Sequence, residues 1–181
     1  VESIERVFGR RCRGFRTACG FADGLRGAPE LLALLARAGV RYVSSVLWGE
    51  DFSLPAPVTQ AFLYSAGGYP GLREIPAHGW HENLLKGSNR VFGMGARRAI
   101  LFPSPFPDAI PPGFVATPEE EFRCNNRYFI DRALAEGSGH VSLIWHPWSL
   151  ALFDPGMRML ELTFRYVRER GLEPCTFADF D

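Results

Sequence analysis

The sequence predicts an α/β protein, and three observations carry that prediction. APELLALLARAGVRYVSS, residues 28–45, reads as helix, glycine, strand, the repeating unit of α/β folds. A second long helical pattern begins at Thr117 and is followed by the apolar run VSLIW. A third helix precedes LEPCTF, which carries the composition of a short strand. About four core strands alternate with helices or long loops. They can form a small open parallel sheet or the second half of a barrel. A complete (β/α)8 barrel takes about 250 residues, and this chain has 181, which suits one domain spanning residues 1–181.

The elements follow in order. Residues 2–9 read as the tail of a helix, with Ile4, Val7 and Phe8 on one side. Cys12 to Phe15 predicts a short buried strand, and the glycines of residues 17–27 predict a long loop. Pro29 near the start and Gly39 after the end bracket a helix of strong formers. RYVSSVLW, rich in β-branched and aromatic residues, predicts the next strand. Residues 50–72 carry little regular signal, and LREIP predicts a strand ended by Pro76. Residues 77–113 read as irregular, with five prolines in residues 103–113, a long excursion of the kind that lines sites. Thr117 offers an N-cap, Pro118 the first helical position and Glu119 to Glu121 favourable charge, for a helix running to about Ala135. HVSLIW predicts a buried strand with a polar turn after it. Asp154 and Pro155 are expected to open a helix that lasts to about Arg170, and ADFD to start another.

Composition excludes more than it identifies. Twenty basic residues balance twenty acidic ones, so bulk charge favours neither nucleic acid nor an acidic membrane surface. Lys86 is the sole lysine beside nineteen arginines. No apolar run is long enough for a membrane span. The opening segment lacks a signal-peptide pattern, which favours a cytoplasmic location; beginning at Val1, the sequence equally fits a chain whose true N-terminus lies upstream, which leaves the location open. Cys12, Cys19, Cys124 and Cys175 have no CxxC spacing and predict reduced, partly buried thiols. Neither a GxSxG elbow nor a GxxxxGK[ST] loop occurs.

In α/β folds, sites gather at the carboxyl ends of strands. Arg16 follows the first predicted strand, and its fork of donors suits a carboxylate; pairing with a structural aspartate is the plain alternative. Ser44, Ser45 and Trp48 follow the second strand. Glu74 ends the third, with His78, Trp80 and His81 after it. His146 follows the LIW strand, beside Pro147 and Trp148. An imidazole there can give or take a proton near neutral pH; the alternative is a half-buried histidine bonded to a carbonyl. Trp48, Trp80 and Trp148 can wall a pocket or stack on a sugar ring, or simply pack in the core. His78 and His81, with His140 or His146, have no carboxylate set beside them by a metal motif, so no metal site is expected from this chain alone.

These residues stand in an order that resembles the polysaccharide deacetylases, the group related to chitooligosaccharide and peptidoglycan deacetylases. Arg16-Thr17-Ala18-Cys19-Gly20 stands where that family has arginine, a variable residue, proline, an aromatic and often glycine. Gly39 to Ser45 resembles its GxxYDSS-like strand, REIP its EiP strand, LIWHPW its closing histidine motif, and GLEPCTFADF its last strand and helix. Ala18, Cys19 and Val43 depart from the pattern. The family's early TFDDG-like strand and HxxxH-like segment, which supply a base and metal ligands, have no counterpart here.

The resemblance implies a distorted (β/α) barrel of the polysaccharide deacetylase type lacking its first strands. It implies that His146 is the general acid, that Arg16 holds a catalytic aspartate, and that Cys19 lends its backbone N–H to an oxyanion. Trp80, then Trp48, would border the acetyl pocket. The implied reaction is metal-dependent hydrolysis of N-acetyl groups on an amino-sugar polymer or a small amide, with zinc the expected cofactor of the complete enzyme. The expectation is therefore a truncated portion of such a hydrolase, active only if the upstream metal-binding half is present. A non-catalytic carbohydrate-binding relative and a small structural α/β domain are the alternatives.

Overall fold

The computed structural model describes residues 2–49, 57–80, 85 and 115–180. Helix α1 (Glu2–Phe8) leads into strand β1 (Gly14–Phe21). Helix α2 (Pro29–Arg37) connects β1 to β2 (Tyr42–Val46). Strands β3 (Phe62–Tyr64) and β4 (Tyr69–Glu74) follow, joined by a 3-10 turn at Ser65–Gly67. The sheet order is β1-β2-β4-β3. Strands β1, β2 and β4 run parallel, and β3 is antiparallel to β4. This is an α/β architecture with a mixed sheet and flanking helices, and among the described residues the sheet stays open.

Helix α2 forms where its boundaries are written in the sequence. Pro29 occupies the first turn, and Leu32 and Leu35 fall on one buried face. Gly39 ends it with φ of +76°. The Gly39 N–H donates to Ala36 O (3.0 Å) and the Val40 N–H to Leu35 O (3.0 Å), the two reciprocal bonds of a Schellman motif. The buried face packs with Leu25, Val40, Val43, Tyr64 and Leu72 into one core beneath the sheet.

The second half is helical. Helix α3 (Pro118–Glu121) passes through a π-helical segment, Phe122–Arg127, into α4 (Tyr128–Ala135). The Thr117 hydroxyl accepts from the Glu120 N–H (3.2 Å), while Glu120 Oε2 accepts from the Ala116 N–H (2.6 Å), so the expected cap is present. Helices α5 (Pro147–Phe153) and α6 (Arg158–Glu169) follow, with a 3-10 turn at Phe177–Phe180. Trp80, Leu85, Val115 and Phe129 form a second core.

Six expectations need correction. The first strand begins at Gly14, and it runs to Phe21 rather than ending at Phe15. Pairing with β2 outweighs the weak strand propensity of Ala18 and Gly20, and the Leu47 N–H still donates to Phe21 O. The hairpin β3–β4 occupies part of the stretch read as loop; Gly68, at φ of +88°, makes its turn possible. Residues 140–145 are not a strand. They make one isolated parallel bridge, His78 with Leu143, because the Ser142 N–H is taken by the His78 ring instead of a neighbouring strand. LEPCTF forms no strand and runs without regular structure into the 3-10 turn. Helix α6 starts at Arg158, not Pro155, because Met157 sits in the left-handed region with φ of 55°. Cys12 and Cys124 are free and half-buried, as expected, but Cys175 is exposed. The proline-rich stretch 103–113 lies outside the described residues.

Candidate functional site

Arg16 lies inside β1 rather than after it. It pairs in register with Ser44 of β2, and its Nη1 donates to Ser44 Oγ at 2.6 Å. Burial lowers the guanidinium from its ordinary value, and the charge of Glu74 works against that fall; the group stays a cation at any ordinary pH. Beyond Arg16 the ladder breaks. Arg16 faces Ser44 and Phe21 faces Val46, so five steps on β1 oppose two on β2, leaving three extra residues on β1. Bulges of this kind re-aim backbone beside sites. Cys19 falls in this bulge. Gly20 is required there, since a Cβ would stand 2.3 Å from Leu47 Cβ and 2.8 Å from Trp48 Nε1.

Glu74, at the end of β4, is fully buried and is the most heavily bonded acidic group near Arg16. Its Oε1 accepts from the Ser45 N–H (2.6 Å) and the Val46 N–H (2.8 Å). Its Oε2 accepts from Ser45 Oγ (2.7 Å) and the Tyr64 hydroxyl (2.6 Å). The Tyr64 oxygen in turn accepts from the Leu25 N–H (2.9 Å). Burial and the bond to Glu74 push the Tyr64 phenol far above its usual range. Glu74 thus ties the carboxyl end of β2 to β3, β4 and the loop after β1. A carboxylate with every oxygen engaged by fixed donors is suited to holding structure, not to moving protons.

His78 is equally committed. Its Nδ1 accepts from the Ser142 N–H (3.0 Å), and its Nε2 lies against the Thr59 backbone, 3.0 Å from the carbonyl oxygen and 3.2 Å from the nitrogen; with Nδ1 accepting, the neutral ring carries its proton on Nε2 and the shorter contact, to Thr59 O, is the one it donates to. Burial pushes its pKa down to about 4; the bond to Thr59 opposes this and neighbouring His140 adds to it. The His140 ring lies 5.2 Å away, centroid to centroid. Burial lowers its pKa as well, against a hydrogen bond to the Pro76 backbone.

His146 caps the amino end of α5 with extended backbone, φ −95° and ψ 133°. Its carbonyl accepts from the Ser149 and Leu150 N–H groups (3.0 and 3.1 Å). It follows the extended 140–145 segment, which runs parallel to the continuation of β4 through the His78–Leu143 bridge. Arg16, Glu74 and His146 therefore sit on chain segments that run in one direction.

Trp80 is buried in the second core, and its backbone N–H donates to Asn125 Oδ1 (2.8 Å). Its indole Nε1 is buried with no partner among the described residues. Trp48 packs half-buried against the same core and over Gly20. Of Trp148 only the backbone, in α5, is described, and His81 lies outside the described residues. Asn125 and Asn126, in the π-helical segment, were not anticipated. Asn125 Nδ2 donates to Asn126 Oδ1 (3.1 Å), and Asn126 Nδ2 to Thr163 Oγ1 (2.6 Å). Adjacent buried asparagines in an otherwise amphipathic helix were the available signal, since π-bulges cluster at special sites. A cavity of about 420 Å³ lies behind the 140–145 segment, lined by residues such as Ile130, Ala133, Trp145 and Val167. None of the predicted catalytic residues lines it.

The described residues do not fit the metal that the resemblance implies. His78 spends both nitrogens on backbone, and no group of three His, Cys, Asp or Glu side chains among the described residues could hold an ion. Among them, too, no helix is long and apolar enough to cross a membrane. No protein-family model, curated protein or solved structure matches the chain.

Proposed function

We infer that this chain is a carbohydrate-binding relative of the polysaccharide deacetylases whose described residues bind an amino-sugar chain without hydrolysing it. The observation that carries this reading is the Arg16–Ser44 contact at the mouth of a β1 bulge, next to a carboxylate, Glu74, that is wholly occupied in structure. It leaves a fixed cation beside exposed backbone but no group of metal ligands among the described residues. The guanidinium would bond sugar hydroxyls or a carboxylate, and Trp48 would offer an aromatic edge at Gly20, further along the same bulge. On this reading the fold is a deacetylase-type barrel opened on one side.

A second reading keeps the chemistry. One observation favours it: the 140–146 segment runs parallel to the strands that carry Arg16 and Glu74, the arrangement a general acid at His146 needs. Hydrolysis of N-acetyl groups would then require a base and metal ligands from outside the described residues.

Calorimetric titration with a chitooligosaccharide, with and without zinc, and an assay for released acetate separate these readings. Zinc-independent binding that is lost in Arg16→Ala, with no acetate released, is expected. Acetate release that depends on zinc and on His146 would replace the first reading with the second. No binding under either condition would leave a structural α/β domain.

A further inference from the structure

We propose that the ligand at Arg16 is an acidic amino-sugar chain, with a uronate carboxylate seated on the Arg16 guanidinium, and that the site selects it over a neutral chain. The proposal rests on the carbohydrate-binding reading and names the class of sugar. Arg16 is tied down at one corner of its fork. Its Nη1 donates to Ser44 Oγ at 2.6 Å, a neutral acceptor and its one hydrogen-bond partner among the described residues. Ser44 is buried, whereas Arg16 is exposed. The rest of the fork has no partner among the described residues and is open to a ligand.

The anchor is stiff. Ser44 belongs to β2, which lies between β1 and β4 in the sheet, and Arg16 faces it in register. A guanidinium tied to an inner strand loses little freedom when it closes on a carboxylate, and its planar fork matches that group with two parallel bonds. Past Arg16, residues 17–20 have no ladder partner on β2, and Gly20 leaves room for Trp48. A neutral sugar next to the uronate would meet backbone and the indole edge there.

Charge argues the same way. The ion pairs between described residues join arginines and acids of the helical second half, and none includes Arg16. Glu74 is the acid whose field reaches Arg16, but its oxygens are given to Ser45, Val46 and Tyr64. It pulls on the guanidinium without touching it. Coulomb energy falls with distance, so a carboxylate in contact with the fork gains more than Glu74 takes from it. Partial burial also strips water from the cation. A cation so placed gains more from an ionised partner than from a sugar hydroxyl, because charge-assisted hydrogen bonds are the stronger ones.

Calorimetric titration of the full chain at fixed low salt compares two probes of equal length: hyaluronan oligosaccharides, in which glucuronate alternates with N-acetylglucosamine, and chitooligosaccharides. The acidic probe is expected to bind about tenfold tighter, with an advantage that shrinks as salt is raised. Arg16→Gln keeps N–H donors without the charge and should bring the two probes to equal affinity. Arg16→Lys should restore part of the preference. Arg37→Ala, which removes an exposed arginine on the last turn of α2, should leave the preference unchanged. Thermal melts matching the parent show that the variants are folded. Equal or weaker binding of the acidic probe by the parent overturns the proposal and leaves the carbohydrate-binding reading in place. So does a preference that survives Arg16→Gln or disappears in Arg37→Ala, the signature of diffuse charge. Binding of neither probe overturns both.

Discussion

The Tyr64 hydroxyl donates to Glu74 Oε2 at 2.6 Å while accepting from the Leu25 N–H at 2.9 Å, so one phenol oxygen joins β3, β4 and the loop that follows β1. Removing it separates these elements chemically without removing much volume. Tyr64→Phe leaves a buried backbone N–H without a partner and costs roughly 1–3 kcal/mol. Glu74→Ala strands two backbone N–H groups and two hydroxyls, and is expected to cost at least about 3 kcal/mol. Glu74→Gln presents an amide to a site that offers donors alone and falls between. Urea unfolding midpoints give the order; a Glu74→Ala protein as stable as Tyr64→Phe would show that the carboxylate is not the hub.

Gly24 reports on the same hub from the backbone side. Its φ is +61°, and a Cβ would stand 2.6 Å from the Tyr64 hydroxyl oxygen and 3.2 Å from Glu74 Oε2. Gly24→Ala therefore combines backbone strain with overpacking, and about 2 kcal/mol of destabilisation is expected. Gly27, three residues on, has ordinary φ, and a methyl group added to it would meet nothing within 4 Å. Gly27→Ala should be neutral or stabilise by up to about 1 kcal/mol, through the unfolded chain. Thermal melts of the pair decide: similar midpoints for the two variants would contradict the close approach at Gly24.

What the sequence reveals of this fold depends on where the determining interactions lie. Helix α2 is legible because Pro29 and Gly39 are local signals for its own ends, and Thr117 announces α3 in the same way. Strand β1 is under-read because its second half holds small residues, and its extension depends on Phe21 meeting Val46 across a bulge. The apolar run at 141–145 is over-read for the opposite reason: a side chain 64 residues away, His78, takes the Ser142 N–H. The site is legible only in part. Arg16 and His146 stand out as polar residues at predicted strand ends. The Arg16–Ser44 bond spans 28 residues, and the occupation of Glu74 spans 29; both come from strand register, which composition does not fix.

The start of α6 rests on Asp154. Its Oδ1 accepts from the Arg158 N–H (2.9 Å) and its Oδ2 from the Met159 N–H (2.7 Å), while Met157 holds a left-handed backbone between them. Both bonds satisfy donors at the amino end of the helix, where negative charge is also favoured. Asp154→Ala is expected to cost about 1–2 kcal/mol, and Asp154→Asn less, because the amide oxygen retains one bond. Met157→Gly should recover part of the loss by relieving φ. Chemical denaturation of the three variants and the double variant tests this; an Asp154→Ala change within experimental error would remove the cap from the account.

The clamp between residues 57–60 and 140–143 makes stability depend on pH with a definite sign. His78 is neutral in the folded chain, its pKa held down to about 4 by burial, whereas an unfolded histidine titrates near 6.5. Below pH 6.5 the unfolded chain binds a proton that the folded chain refuses. The stabilisation from neutral His78 is fully present above pH 6.5, declines as pH falls, and is gone once the folded form also protonates near pH 4. The slope in that window is about 1.4 kcal/mol per pH unit from this residue. His140, whose ring faces His78 and whose pKa is lowered in the same direction, steepens the loss. The acidic groups that deprotonate across the same range act equally on the parent and on a His78→Asn variant, so the difference between their pH curves isolates the imidazole. Urea midpoints from pH 4 to 8 should show the parent losing stability faster than the variant below pH 6.5. Parallel curves would mean that His78 titrates alike in the folded and unfolded chains and that the Ser142–His78–Thr59 clamp is not closed as described.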